Sequence, residues 1–240
     1  STLVYSIVDD ESAPDLQIDT DNTETSGTET AEPTPDIVVK SNRRSIYDAT
    51  VAYATTAKSG TTTLTSGDYT LEDATATIAA GATSTTIPLA IVDDSRYEED
   101  ETLTITLSSP GANNTLSGST FKTDYTITGS SDGDKPTMYF TAAQTNDKSE
   151  DDATKAVTVT LSAISGADAS VSYTIAGTAA ASGSNADFTD GTTGAGTLSF
   201  TADTDRTKDI TINFTDDQID EATETIVITL SGFTGGAQEG

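Results

Sequence analysis

Alternation of apolar and polar residues with a period of two runs through most of this chain. Ile87-Pro-Leu89-Ala-Ile91, Leu103-Thr-Ile105-Thr-Leu107, Val157-Thr-Val159-Thr-Leu161, Ile210-Thr-Ile212-Asn-Phe214 and Ile226-Val-Ile228-Thr-Leu230 carry it most clearly. β-Branched and apolar residues interleaved with threonine form strands with one buried face and one wet face. Turn-forming groups punctuate these runs at short intervals: Ser66-Gly67-Asp68, Ala80-Gly81, Gly129 to Asp134, and Gly191 to Gly194. No stretch has a helical period. Short strands with regular punctuation predict an all-β, antiparallel sandwich architecture.

The pattern repeats. Val51-Ala-Tyr53 returns as Val171-Ser-Tyr173, Asp68-Tyr69 as Asp187-Phe188, and Asp93-Asp94 as Asp216-Asp217. Glu98 and Glu101 return as Glu221 and Glu224, and Leu103, Ile105 and Leu107 as Ile226, Ile228 and Leu230. The offset stays between 119 residues (Asp68 to Asp187) and 123 (Asp94 to Asp217). Two copies of one domain explain this. Near the start, Tyr5-Ser-Ile7 matches Tyr125-Thr-Ile127, and Pro14-Asp-Leu16 matches Pro136-Thr-Met138. Residues 1–13 therefore read as the closing strand of a preceding or neighbouring repeat, 14–131 as a complete sandwich, and 132–240 as a second sandwich without its last strand. Val157, Val159, Leu161, Val171, Tyr173, Leu198, Phe200, Ile210, Ile212, Ile226 and Ile228 are the expected core of the second.

Charge narrows the chemistry. The 240 residues include 39 acidic and 11 basic side chains, for a net charge of -28. Phosphate backbones demand Lys and Arg, so nucleic acid is excluded as a partner. No apolar run approaches the length of a membrane span. Cysteine, histidine and tryptophan are absent, which removes disulfides, thiolate chemistry and the commonest general base. Oxygen ligands remain, and these suit calcium or magnesium. Carboxylate pairs could hydrolyse glycosides, but that chemistry needs an aromatic-lined cleft, and aromatics make up 6% of the chain. No enzymatic function is expected.

The acidic residues are clustered. One cluster is Asp93-Asp94-Ser-Arg-Tyr-Glu98-Glu99-Asp100-Glu101, and its counterpart is Asp216-Asp217-Gln-Ile-Asp220-Glu221-Ala-Thr-Glu224. Two like charges 4 Å apart repel by about 4 kcal/mol at an effective dielectric near 20. Full solvation or a hard divalent cation relieves that repulsion. A strand, Asp-Asp, a short spacer, Glu-x-x-Glu and a strand ending in Leu-Ser resembles the Calx-β motif of sodium–calcium exchangers, integrin β4 and microbial surface proteins. Asp68-Tyr69 and Asp187-Phe188 are similar to its upstream Asp-Tyr element. Tyr5-Ser-Ile-Val-Asp9-Asp10-Glu11 is similar to its closing strand and acidic triplet.

The resemblance implies immunoglobulin-like sandwiches arranged end to end, with Ca2+ bound at one end of each. By position, the implied ligands of the first repeat are Glu32, Asp68, Asp93, Asp94 and Glu98, with Asp132 and Asp134 where the closing triplet is altered. Those of the second are Asp152, Asp187, Asp216, Asp217 and Glu221, and the closing triplet at the chain start is Asp9, Asp10 and Glu11. Glu29 competes with Glu32, and Glu150 with Asp152. The expected role is a calcium-rigidified structural module of an extracellular, cell-surface array or filament. Its expected partners are copies of itself or adjacent repeats, head to tail. A chain of this kind is either a subunit that exchanges its first strand with a neighbour or a window of a longer covalent array. An adhesion module recognising glycan or protein, and a calcium-responsive regulatory domain, are the alternatives.

Overall fold

The computed structural model describes the whole chain except residues 31–33, 58–63, 65–66, 130–134, 142–147, 184 and 190–193. It divides into two compact units: Ser1–Asp94 with Asp100–Thr128, and Ser95–Glu99 with Gly129–Gly240. Each has its own core.

The first unit contains β1 (Asp15–Ile18), β2 (Ser26–Gly27), β3 (Ile37–Ser41), β4 (Ala49–Ala57), β5 (Tyr69–Thr70) and β6 (Ala74–Ile78). There follow β7 (Ser84–Ile87), β8 (Ala90–Ile91), β9 (Glu101–Pro110), β10 (Thr115–Leu116) and β11 (Lys122–Ile127). One sheet has the order β10-β1-β3-β7 and the other β2-β11-β9-β4-β6, with β5 and β8 paired as a small ribbon. The alternation explains the layering. Leu16, Ile18, Ile37, Val39 and Ile87 of one sheet meet Val51, Tyr53, Ile78, Leu103, Ile105, Leu107, Tyr125 and Ile127 of the other in a single buried cluster. Burial along β9 alternates strictly over Glu101–Leu107, as the Leu-Thr-Ile-Thr-Leu run requires. On the outer face of this sheet, Thr104 donates a 2.6 Å hydrogen bond to Asp124 on β11, and Thr102 and Thr126 share another. Residues 1–14 contain no strand.

Buried Asp19, just past β1, accepts hydrogen bonds from Lys40 Nζ (2.6 Å) and Asn22 Nδ2 (2.7 Å). The Lys40 ammonium, then the Asn22 amide, holds its carboxyl below the ordinary aspartate value. A lowered folded-state value stabilises the fold above the unfolded value, about 3.9, and the contribution is lost as pH falls through the lower one. Asp19→Asn should therefore flatten the decline of melting temperature below roughly pH 4, as read by thermal scans at stepped pH.

The second unit repeats the plan. Its strands are β12 (Thr137–Phe140), β13 (Thr154–Leu161), β14 (Ala169–Gly177), β15 (Phe188–Thr189), β16 (Ala195–Phe200), β17 (Thr207–Phe214), β18 (Ile226–Gly235) and β19 (Gln238–Glu239). A 3-10 turn covers Glu150–Asp152. The orders are β15-β17-β13-β12-β19 and β16-β14-β18. Register is conserved between the units: Tyr53 opposite Leu107 and Thr55 opposite Ile105 become Tyr173 opposite Leu230 and Ile175 opposite Ile228. The Tyr173 ring lies over Gly196, where a Cβ would stand 2.5 Å from it, so any larger residue would push the ring aside.

The second core differs from the expected one at its margin. Val159, Leu161, Val171, Tyr173, Phe200, Ile210 and Ile212 are buried, but Val157, Leu198, Ile226 and Ile228 are half-buried and pack against the cluster. For the β18 residues the reason is topological. β9 lies between β4 and β11, whereas β18 has β14 on one side and, among the described residues, no strand on the other.

Candidate metal centre

The same backbone bond places one aspartate in each unit. Asp68 precedes β5, and its carbonyl accepts a 3.0 Å hydrogen bond from Val92 N just beyond β8. In the second unit the Asp187 carbonyl accepts a 2.8 Å bond from Thr215 N just beyond β17. The strand pairings Tyr69–Ile91 and Phe188–Phe214 hold this arrangement. Each aspartate thus stands beside the start of the following acidic loop.

In the second unit, Glu150, Asp187 and Glu221 each offer a carboxylate oxygen within 4.8 Å of the other two. They come from the 3-10 turn, the residue preceding β15 and the loop before β18. Asp187 N donates to Ala180 O at 2.8 Å, and Ala180 N donates back to Asp187 Oδ2. That backbone donor is the main reason the Asp187 carboxyl is held below its ordinary value. Glu221 is shifted the other way, first by desolvation and then by Asp187, Asp217 and Glu224. Glu224 is raised chiefly through its hydrogen bond with Asp187. Crowded carboxylates of this kind take up either protons or a cation.

The donor set fits calcium. With Ca–O distances of about 2.3–2.6 Å, oxygens on opposite sides of the ion stand roughly 4.6–5.2 Å apart, and the triad lies within 4.8 Å. All three donors are hard oxygens. The turn decides which acid of the Glu150-Asp-Asp152 run faces inward, because successive 3-10 residues are rotated by about a third of a turn. Glu150 joins the triad, whereas Asp152 accepts from Ser149 N at 2.9 Å and lies 3.6 Å from Lys148 Nζ. Of the two open assignments, Glu150 is the one that stands in the triad. Asp216 and Asp217 lie outside the triad; Asp217 Oδ1 accepts from Ile219 N at 2.7 Å.

In the first unit, buried Asp68 and buried Glu101 place carboxylate oxygens within the same 4.8 Å. Glu101 was not among the expected ligands, although the Glu-x-x-Glu spacing contains it. Glu98 lies on Ser95–Glu99, which groups with the second unit. Asp93 and Asp94 belong to no triad among the described residues. Glu29 is buried; Glu32, Asp132 and Asp134 lie outside the described residues. Asp9, Asp10 and Glu11 form a third, fully exposed cluster within 4.8 Å, and the Asp9 carboxyl raises that of Glu11.

Solved structures similar to this chain include CBD12 from CALX1.2, at 17% identity over 83% of this chain and 74% of that one, with a TM-score of 0.40. The calcium binding domain CBD12 of CALX1.1 matches at 18% identity over 82% and 74%, with a TM-score of 0.41. A two-domain protein of unknown function from Bacteroides fragilis matches at 10% over 84% of each, with a TM-score of 0.37. No curated protein sequence matches the chain. The Calx-beta domain model matches residues 9–129 and again 132–239, and the chain belongs to the Calx-beta family, as two tandem β-sandwich domains.

Proposed function

We propose that this chain is a calcium-binding structural module of an extracellular repeat array or filament. The observation that carries the reading is the convergence of Glu150, Asp187 and Glu221 from three separate segments onto one calcium-sized space. A bound ion would tie the turn before β13, the edge strand β15 and the loop before β18 into one rigid end. Extracellular modules of this type bind with dissociation constants of about 10⁻⁴–10⁻³ M, a range matched to calcium outside cells. The duplicated sandwich and the net charge of -28 support a soluble, repetitive architecture that collects cations. Assembly by strand exchange between copies is the finer part of the proposal.

Calorimetric calcium titration tests it. Saturable binding is expected, and Glu221→Gln should weaken the second-unit site on the order of tenfold, because affinity follows ligand charge. Absence of saturable binding up to 10-fold above that range (about 10⁻² M) would remove the calcium reading. For the location, protease treatment of intact source cells should release fragments of this chain.

A further inference from the structure

The outer edge of β18 and the exposed segment Thr2–Ile7 complement each other. In the first unit, Leu103, Ile105 and Leu107 of β9 are fully covered, and β11 contributes buried Tyr125 and Ile127 beside them. The counterparts Ile226, Ile228 and Leu230 of β18 are only half-buried. The segment Thr2-Leu-Val-Tyr-Ser-Ile7 has Tyr5 and Ile7 where β11 has Tyr125 and Ile127. In the chain by itself Tyr5 is 84% and Ile7 99% exposed.

An independent match lies on the opposite face. β11 pairs with β9 so that Asp124 faces Thr104 and Tyr125 faces Leu103, and Thr104 donates to Asp124. Carried onto β18, that register sets Val4 opposite Val227, Tyr5 opposite Ile226 and Ile7 opposite Glu224. Both members of the polar Thr104–Asp124 pair have become valine. Val227 is 51% and Val4 78% exposed, and an aliphatic cross-strand pair stabilises a ladder where either valine alone would sit in water.

We propose that β18 receives Thr2–Ile7 of a second copy of this chain as an antiparallel strand in this register. The proposal rests on the filament reading above and specifies its joint. An unpaired edge is a template for strand addition. The contact joins two different surfaces, so it propagates head to tail without having to close. It also brings Asp9, Asp10 and Glu11 of the donor toward Glu221 and Glu224 of the acceptor. Without a cation that juxtaposition is repulsive, which makes the joint responsive to calcium.

The chain contains no cysteine, so engineered pairs report without background. In calcium, oxidised Val4→Cys/Val227→Cys chain should give a ladder of disulfide-linked oligomers on a non-reducing gel. The register-shifted pair Val4→Cys/Thr229→Cys should give at least fivefold less. All three positions are exposed, so the folded units tolerate the changes. Adding Ile7→Asp to the first pair should abolish the ladder. A disulfide-closed monomer, no disulfide, equal ladders from both pairs, or a ladder that survives Ile7→Asp would each overturn the proposal. Calcium titration of the same samples separates the two readings. Calcium binding without a ladder overturns strand exchange alone, and a ladder without calcium binding overturns the calcium reading alone.

Discussion

Alanine at Ile105 should destabilise the first unit by about 2–5 kcal/mol, and alanine at Ile228 should cost the second markedly less. The two residues are counterparts on β9 and β18, but Ile105 is fully buried and Ile228 half-buried. A large-to-small change costs the transfer energy of the lost methylenes plus a cavity term, and a site already open to water creates little cavity. Urea unfolding with probes in each unit checks this. The gap between the two variants should narrow under conditions where β18 is covered by a donated strand. Equal costs in the monomer would mean that the β18 edge is covered.

Chelation of calcium should lower the melting temperature of the second unit on the order of 10 °C. At a free concentration 100 times the dissociation constant, one bound ion adds about 2.7 kcal/mol. Each kcal/mol moves the midpoint of a domain of this size by roughly 4 °C. Asp187→Ala, which removes the carboxylate held by Ala180 N, should leave melting nearly the same with calcium or chelator. The difference should also depend on pH. Glu221 and Glu224 have raised values in the fold. In chelator, the stability tied to their protonated forms is present below the ordinary glutamate value and is lost as pH rises through the raised one. Calcium binds the ionised forms, so the benefit of calcium should widen as pH increases over that interval. Identical melting in calcium and chelator near neutral pH would contradict the metal assignment.

The strands and the duplication were legible in the sequence because a two-residue period is imposed directly by the pleat. The Thr-interleaved runs at Leu103–Leu107 and Ile226–Leu230 point to strands without any knowledge of their neighbours. Periodicity reports which face turns inward, however, not whether another strand closes over it. That is why Ile226 and Ile228 looked equivalent to Leu103 and Ile105 and yet are more exposed. The acidic residues were likewise visible as a set, but their sorting was not. Glu150 rather than Asp152 joins Asp187 because a 3-10 turn intervenes, and no short-range pattern in Ser149-Glu-Asp-Asp152 announces its phase. Glu101 sat in the motif from the outset; its inward direction follows from the alternation of β9, which begins at that residue.

The parallel pairing of β1 with β10 joins Asp15 to Thr115, and that of β12 with β19 joins Thr137 to Gln238. In each unit one side of the opening strand pairs early, with β3 or β13, and the other side waits for a partner made about a hundred residues later. A ribosome adding about 5–20 residues per second takes on the order of 5–20 s to supply it. Contacts so distant in sequence also make folding intrinsically slow, because loop closure must precede the pairing that rewards it. During that interval the nascent chain presents β-prone segments to solvent. The carboxylates flanking the runs, such as Asp93-Asp94 after Ile91 and Asp216-Asp217 after Phe214, act as gatekeepers against premature pairing with other nascent chains. The acidic loops that end the strands thereby also protect them while the sandwich is being made.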